Sequence, residues 1–516
     1  MTEKVYVFDT TLRDGEQSAG IAFTPQEKLE IAKQLEKLGV DIIEAGFPCS
    51  TPGDMEAVRG VAREVRGASI CALARAVPAD IDTAWESIKE AEDPRIHVFI
   101  NTSDIQMAHQ LNKDREQVLT QAEAMVRHAA QYTSNVEFSP MDATRADTEF
   151  IFEIVRRCVD AGATTINIPD SVGYAMPEEI AWMFDEIHQR IPNIHKARLS
   201  FHGQNDLGLC TANTLAAVTH GARQVEVTIN GIGERAGNTS LEEVVMAIKT
   251  RADFFDQVHT DINTKEIYRA STLVERCSGM PIQWNKAIVG KNAFRHGSGI
   301  HQDGILKMRE TWEIMDPADI GIPLGTQLVM GKLSGRHAFK AHMEELGYEL
   351  TEEEMTRAFV AFKELADKKM EVDDRDLAAI VTDNTRSMED AAWRLDLVQV
   401  TATDKGAPTA TLRLIDPQGD IKSDAATGTG PVDAVYRAMN RITGLTPELT
   451  EFSVKSVTEG IDAQGEVTIR IAEDGKTYTG RAADTDIIVA SARAYINALN
   501  RMILVTARND EVRANP

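Results

Sequence analysis

Short apolar runs rich in β-branched residues recur through the first half of the chain, at residues 5–9, 41–47, 69–75, 95–100, 135–139, 165–170, 198–202 and 224–230. Their near-continuous apolar character predicts strands buried on both faces, as in a parallel sheet. Helical patterns separate them. After the first run, Thr24 can cap a helix, Pro25 suits its first turn, Glu27 completes a capping box, and Gly39 can end it behind an apolar stripe of Ile31, Leu35 and Leu38. A second box, Ser240 to Glu243, is expected to open the helix after the last strand.

Eight β-α units of roughly 25–40 residues each predict an α/β fold, a (β/α)8 TIM barrel. An open doubly wound sheet fits the alternation less well, because no Gly-rich dinucleotide turn follows the first strand. We place the barrel at residues 1–255, a helical linker region at 256–390, and a C-terminal α+β domain at 391–516. The last region repeats itself. Two β-β-β-α sets end in helices at 431–442 and 487–502, and Ala434, Arg437 and Ala438 match Ala490, Arg493 and Ala494. Such a duplication suits a regulatory or dimer-forming domain better than a catalytic one.

Composition narrows the function classes. The 55 basic and 80 acidic residues give a net charge of −25, which argues against nucleic acid and anionic membranes as partners. The five cysteines, 49, 71, 158, 210 and 277, form no C-x-x-C pair and read as reduced thiols. No apolar stretch approaches the roughly 18 residues that span a membrane, and no signal-peptide pattern opens the chain. A cytoplasmic enzyme is the expectation.

Barrel enzymes carry their chemistry where strands run out into loops. Strand one delivers Asp9, Arg13 and Asp14; strand two Glu44; strand three Arg75; strand four His97 and Asn101; strand five Glu137 and Ser139; strand six Asn167, Asp170 and Ser171. Strand seven ends in His202-Gly203-Gln204-Asn205-Asp206, and residues 230–238 follow strand eight. Any one of these equally suits a polar group that only satisfies loop amides. Together, Asp14, His202, Gln204 and Asn238 offer a carboxylate, an imidazole and two amide oxygens, a mixture suited to Mn2+ or Mg2+. Residues 202 and 204 share one face of an extended segment, so both can reach one ion.

The segment Leu12-Arg13-Asp14-Gly15-Glu16-Gln17, with Lys28, resembles the first signature of the 2-isopropylmalate synthase and homocitrate synthase family. Residues 230–238, the Gly299-Ile300-His301-Gln302-Asp303 patch and Gly428-Thr429-Gly430-Pro431-Val432-Asp433 look more narrowly like its 2-isopropylmalate synthase branch. The tail is similar to that branch's leucine-binding regulatory domain. The resemblance implies a Claisen-type condensation of acetyl-CoA with 2-oxoisovalerate, followed by thioester hydrolysis. It also implies leucine as allosteric inhibitor, a homodimer, and a divalent metal with a monovalent cation such as K+ as a second ion. Asp14, His202 and Asn238 match the family's metal ligands, and Arg13 the group that stabilises the nascent alkoxide. His301 matches the proposed base, and His97 and Ser171 match positions near the oxo acid. Two positions depart from the family. Gln204 stands where a second metal histidine is usual, which predicts a bias toward Mg2+ or Mn2+ and away from zinc. Met141 stands where a glutamate is common, leaving Asp142 or Glu137 as substitute carboxylates. A citramalate or homocitrate synthase, or a silent leucine-sensing paralogue, are the competing readings.

Overall fold

In the computed structural model, the eight apolar runs close into a parallel barrel with strands in chain order. The structure describes residues 2–322, 327–328, 330–346, 350–367, 372, 376–377, 380, 393–402, 405–456, 465–473 and 476–514. The barrel strands are β1 (Tyr6–Asp9), β2 (Ile42–Gly46), β3 (Ser69–Arg75), β4 (Pro94–Asn101), β5 (Val136–Met141), β6 (Thr165–Asp170), β7 (Arg198–Gly203) and β8 (Gln224–Val227). β8 pairs back onto β1 from Tyr6↔Gln224 to Asp9↔Val227 and closes the ring.

The main helices after each strand are α1 (Pro25–Leu38), α2 (Pro52–Glu64), α3 (Pro78–Ile88), α4 (Arg115–Ala129), α5 (Thr148–Ala161), α6 (Pro177–Arg190), α7 (Cys210–Thr219) and α8 (Leu241–Thr250). α1 starts as expected: the Thr24 hydroxyl accepts from the Glu27 amide at 3.2 Å, and Glu27 accepts from the Thr24 amide at 2.8 Å. Gly39 ends it at φ +84°, a left-handed conformation that a Cβ disfavours. The second expected box does not form. Ser240 is the N-cap of α8 but makes no side-chain cap; its hydroxyl accepts instead from Lys286 Nζ at 2.7 Å, as does Glu243. A half-buried ammonium outcompetes the helix amides for these two oxygens.

The strands are buried on both faces, but the two faces differ in kind. One alternating set, including Val7, Ile43, Ile70, Val98, Phe138, Ile168, Phe201 and Val225, belongs to the large apolar core shared with the helices. The other set faces the barrel axis. It holds a small apolar group, Phe8, Ile42 and Cys71, and a charged layer beside it. There Arg95 NH1 donates to Glu137 and Gln224, both at 2.8 Å, and Gln224 donates back to Glu137 at 2.9 Å. The interior is therefore not the branched-aliphatic filling usual in such barrels. It is a hydrogen-bonded stack of ions on which the mouth is built.

Beyond the barrel run α9 (Ile267–Ser278), α10 (Gly299–Lys307) and α11 (Arg336–Glu345). Helix does not fill this stretch as expected: turns occupy residues 279–294, where Gly279, Pro281 and Gly290 interrupt any helical pattern, and Arg295–His296 pairs with Gln327–Leu328. The expected boundary near residue 390 lies outside the described residues.

The chain divides into two compact units, residues 1–347 with 366–372, and residues 348–365 with 373–516. The second holds most of α12 (Glu352–Ala366) and the repeat. Its sheets β9 (Arg394–Thr401), β10 (Thr409–Ile415), β11 (Ile421–Thr427) and β12 (Glu448–Ser456), β13 (Gly465–Glu473), β14 (Lys476–Asp484) are each antiparallel meanders. Each meander precedes a helix, α13 (Pro431–Thr443) or α14 (Ile487–Ala514). The matched alanines 434, 438, 490 and 494 are fully buried. Small side chains there let each helix lie close on its sheet. Tyr436 and Tyr495 stack at 4.2 Å between ring centres and join the two halves.

Candidate metal centre at the barrel mouth

The loop after β1 turns back at once, with the Arg13 and Gly15 amides both donating to the Thr10 carbonyl. This turn holds Arg13 and Asp14 over the axis. Arg13 is 11% exposed as a side chain and meets three carboxylates: Nε donates to Glu44 at 2.5 Å, NH1 to Asp14 at 2.5 Å, and NH2 to Glu226 at 2.9 Å. Burial would raise the Glu44 pKa, but Arg13 and His97 outweigh it and hold it down at about 2. Asp14 follows the same balance: burial opposes its charge, while Arg13 and His202 lower its pKa.

Gln204 and Asn238 are brought together by a local antiparallel bridge. The Asn205 amide donates to the Gly237 carbonyl at 2.8 Å and the Thr239 amide to the Gly203 carbonyl at 3.1 Å, so the two amide side chains stand side by side. Gly237 makes this possible: at φ +92° a Cβ would sit 2.1 Å from the Gly231 carbonyl oxygen. Asn238 Nδ2 donates to Asp14 Oδ1 at 2.9 Å, and Gln204 Nε2 lies 3.3 Å from both Asp14 Oδ1 and His202 Nε2. His202 Nδ1 is 3.3 Å from Glu226. Burial alone would lower the His202 pKa, but Glu226 and Asp14 raise it. Glu226 thereby turns Nε2 toward Asp14 and the two amides, the usual partner arrangement of a metal-binding imidazole.

The decisive feature is what these amides leave unpaired. Gln204 Oε1 and Asn238 Oδ1 are both buried without a hydrogen-bond partner. The amide nitrogens face Asp14 and His202 while the oxygens are left unpaired, a costly arrangement that a bound cation would invert by drawing both oxygens round to it. The donor set fits a hard or borderline divalent ion.

Another cluster, Glu44, Cys71 and His97, brings potential ligand atoms within 4.8 Å of one another. It reads better as an ion-pair network. Glu44 is already held by Arg13 and by His97 Nδ1 at 2.8 Å, and burial pushes the Cys71 thiol well above its ordinary range, away from thiolate.

The remaining candidates scatter. His97 is buried with both ring nitrogens engaged, by Glu44 and by Ser139 at 2.6 Å, so it supports Arg13 from below. Asn167 donates to Ser139 and Glu226, both at 2.9 Å, and joins the same network. Ser171 accepts from the Asp142 amide at 2.9 Å, and its carbonyl accepts from Arg235. Asp9 and Asp170 bind loop groups; Asn101 holds Gln106 and Gln110; Arg75 lies largely exposed, paired with Asp80 at 2.6 Å. His301 stacks on Trp312 at 3.7 Å, with His296 at 6.1 Å, among the residues following the barrel. Neither proposed stand-in for the Met141 position is free. Asp142 is clamped by Arg145 and Ser103, and Glu137 is held by Arg95 and Gln224 deeper in the barrel. Glu226 escaped the sequence reading, although Gln224 and Glu226 alternate with valines and so mark a polar inward face.

Family models match in three consecutive segments: HMGL-like at residues 4–274, a homocitrate synthase post-HMGL domain-like region at 288–370, and a LeuA allosteric (dimerisation) domain at 371–503. The chain is 56% identical to the 2-isopropylmalate synthase of Carboxydothermus hydrogenoformans over 97% of its own length and 98% of that protein. The chain belongs to the 2-isopropylmalate synthase family. The enzymes of that name from Gloeothece citriformis, at 54% identity over 97% of this chain and 95% of the relative, and from a Picosynechococcus species, at 52% over 100% and 98%, match equally from end to end. Among the described residues no helix is long and apolar enough to cross a membrane.

Proposed function

We propose that this barrel mouth condenses acetyl-CoA with 2-oxoisovalerate and water to give 2-isopropylmalate and CoA. The observation that carries the site assignment is the gathering of Asp14, His202, Gln204 and Asn238 within hydrogen-bond distance of one another, with Gln204 Oε1 and Asn238 Oδ1 left unpaired. These four residues would hold a divalent ion, Mn2+ or Mg2+, which when bound supplies Lewis-acid polarisation of a 2-oxo acid carbonyl. With three of its five N–H groups engaged, Arg13 keeps two to offer an oxygen that gains negative charge. The Glu44 and Glu226 carboxylates fix its plane, and His97 fixes Glu44. Carbon–carbon bond formation requires removal of a proton from the acetyl methyl and its delivery to the new alkoxide. His301 is assigned the base role by resemblance, and Ser171 a place near the oxo acid. Water then cleaves the thioester and releases the CoA thiol.

The protein acts in the cytoplasm as a homodimer, and the repeated tail binds leucine as inhibitor; the match to a LeuA allosteric (dimerisation) domain supports both. A free-thiol assay with acetyl-CoA against a panel of 2-oxo acids, with Mn2+ and with or without K+, tests the reading. Preference for 2-oxoisovalerate is expected. Preference for pyruvate or 2-oxoglutarate would move the chain to a citramalate or homocitrate synthase, and no CoA release with any acid would refute the enzyme assignment. Leucine inhibition surviving truncation after about residue 390 would refute the placement of its site.

A further inference from the structure

The opposite end of the barrel, where β1, β2, β4 and β7 begin, holds a cavity of about 410 Å3 that the reaction leaves unused. Two guanidinium groups line it, those of Arg95 and Arg198. Arg95 is engaged through Nε with Asn135 at 2.7 Å and through NH1 with Glu137 and Gln224. Arg198 is different. Its guanidinium lies 3.4 Å from the centre of the Tyr6 ring and makes no side-chain hydrogen bond or ion pair with the described residues. Burial, with Arg95 nearby, lowers its pKa below the ordinary arginine range. A half-buried arginine normally finds an acceptor. Here the aromatic face fixes the plane of the guanidinium and leaves its N–H edge unfilled.

The charges around it select the ligand class. Asp41 shares Lys4 with Asp261, each at 2.6 Å, and takes the Val7 amide at 2.8 Å. Asp93 stands exposed at the rim, held by Asn135 at 3.1 Å. Arg198, a cation with no hydrogen-bonded acceptor among the described residues, near the carboxylates of Asp41 and Asp93, suits a monoanion and disfavours a phosphate dianion. The volume is several times that of a carboxylate group, and Tyr6 and Ile42 add an apolar wall.

We propose that this cavity binds a small organic monocarboxylate, its two oxygens taken by the free edge of Arg198 and its apolar part lying against Tyr6 and Ile42. The site is independent of the barrel mouth. The test uses the full-length protein in chelator, with isobutyrate and propionate as probes, neither of which carries the 2-oxo group the mouth requires. Saturation-transfer NMR should show binding to the wild-type chain. Arg198→Gln should abolish it, and Arg198→Lys, which keeps the charge but loses the planar fork, should weaken it about tenfold. Both variants should keep CoA release, which also reports that they fold. Absence of binding to the wild type, or equal binding to wild type and Arg198→Gln, would overturn the proposal. Inorganic phosphate displacing isobutyrate at equal concentration would overturn the assignment to carboxylates.

Discussion

Replacing Arg13 by methionine keeps most of the side chain's apolar length and removes only the cation. Three carboxylates would lose it together: Glu44 and Glu226, 0% and 1% exposed as side chains, and Asp14 at 8%. Breaking one buried pair costs about 3–5 kcal/mol, because the surviving charge stays desolvated. His97 and His202 remain to soften part of this, so about 3–5 kcal/mol for the whole cluster is the expected loss at pH 8. With a urea slope of about 3 kcal/mol/M, the barrel transition should move down by about 1–1.7 M. The loss should depend on pH in a set direction. In the wild type the Glu44 pKa is depressed to about 2 from an ordinary 4.5, so its contribution is complete above pH 4.5 and fades as pH falls through 2. In the variant, burial is opposed only by the remaining histidine and hydroxyl partners, so Glu44 protonates at a higher pH than in the wild type. The gap between the proteins should therefore narrow from pH 8 toward pH 5. Urea melts followed by tryptophan fluorescence at both pH values read this, and Arg13→Lys should recover stability without recovering full CoA release. Equal melts for Arg13→Met and wild type at pH 8, or a loss indifferent to pH, would refute the network.

Gln204→His should shift metal preference toward Zn2+ by tenfold or more relative to Mg2+, since an imidazole replaces an amide oxygen; competitive titration reads it, and an unchanged preference would count against Gln204 as ligand. Gly237→Ala drives a Cβ against the Gly231 carbonyl, so it should misplace Asn238 and cut divalent-ion affinity by about 10–100-fold, while wild-type affinity would show that the loop tolerates the strain. Asp9 is buried, and desolvation raises its pKa to about 7 from 3.8. Its ionisation therefore costs stability progressively as pH rises from 3.8 to 7. Asp9→Asn removes this titration, so the variant's stability relative to wild type should rise from pH 4 to pH 8 in urea melts; a difference indifferent to pH would contradict this.

The barrel was legible because eight apolar runs alternate with cappable helices, and the tail because its two halves share alanines and arginines at a constant offset. Arg13, Asp14, His202, Gln204 and Asn238 were legible as strand-end polar residues, and the structure brings them into one cluster. What periodicity missed is the inner face. Charged residues such as Arg95, Glu137 and Glu226 look misplaced in apolar strands until the ring closes and they meet each other across the axis. Ser240 misled for a related reason, since Lys286, 46 residues away, claims its hydroxyl. Such long-range partners leave no local mark in a sequence.

The central claim is that Asp14, His202, Gln204 and Asn238 hold a catalytically required divalent ion. Titrating Mn2+ into chelator-stripped protein while following CoA release from acetyl-CoA and 2-oxoisovalerate tests it most directly. The account predicts no release without metal, saturation at one equivalent per chain, and loss of that site in Asp14→Asn. Full activity in excess chelator, or unaltered Mn2+ affinity in Asp14→Asn, would contradict it.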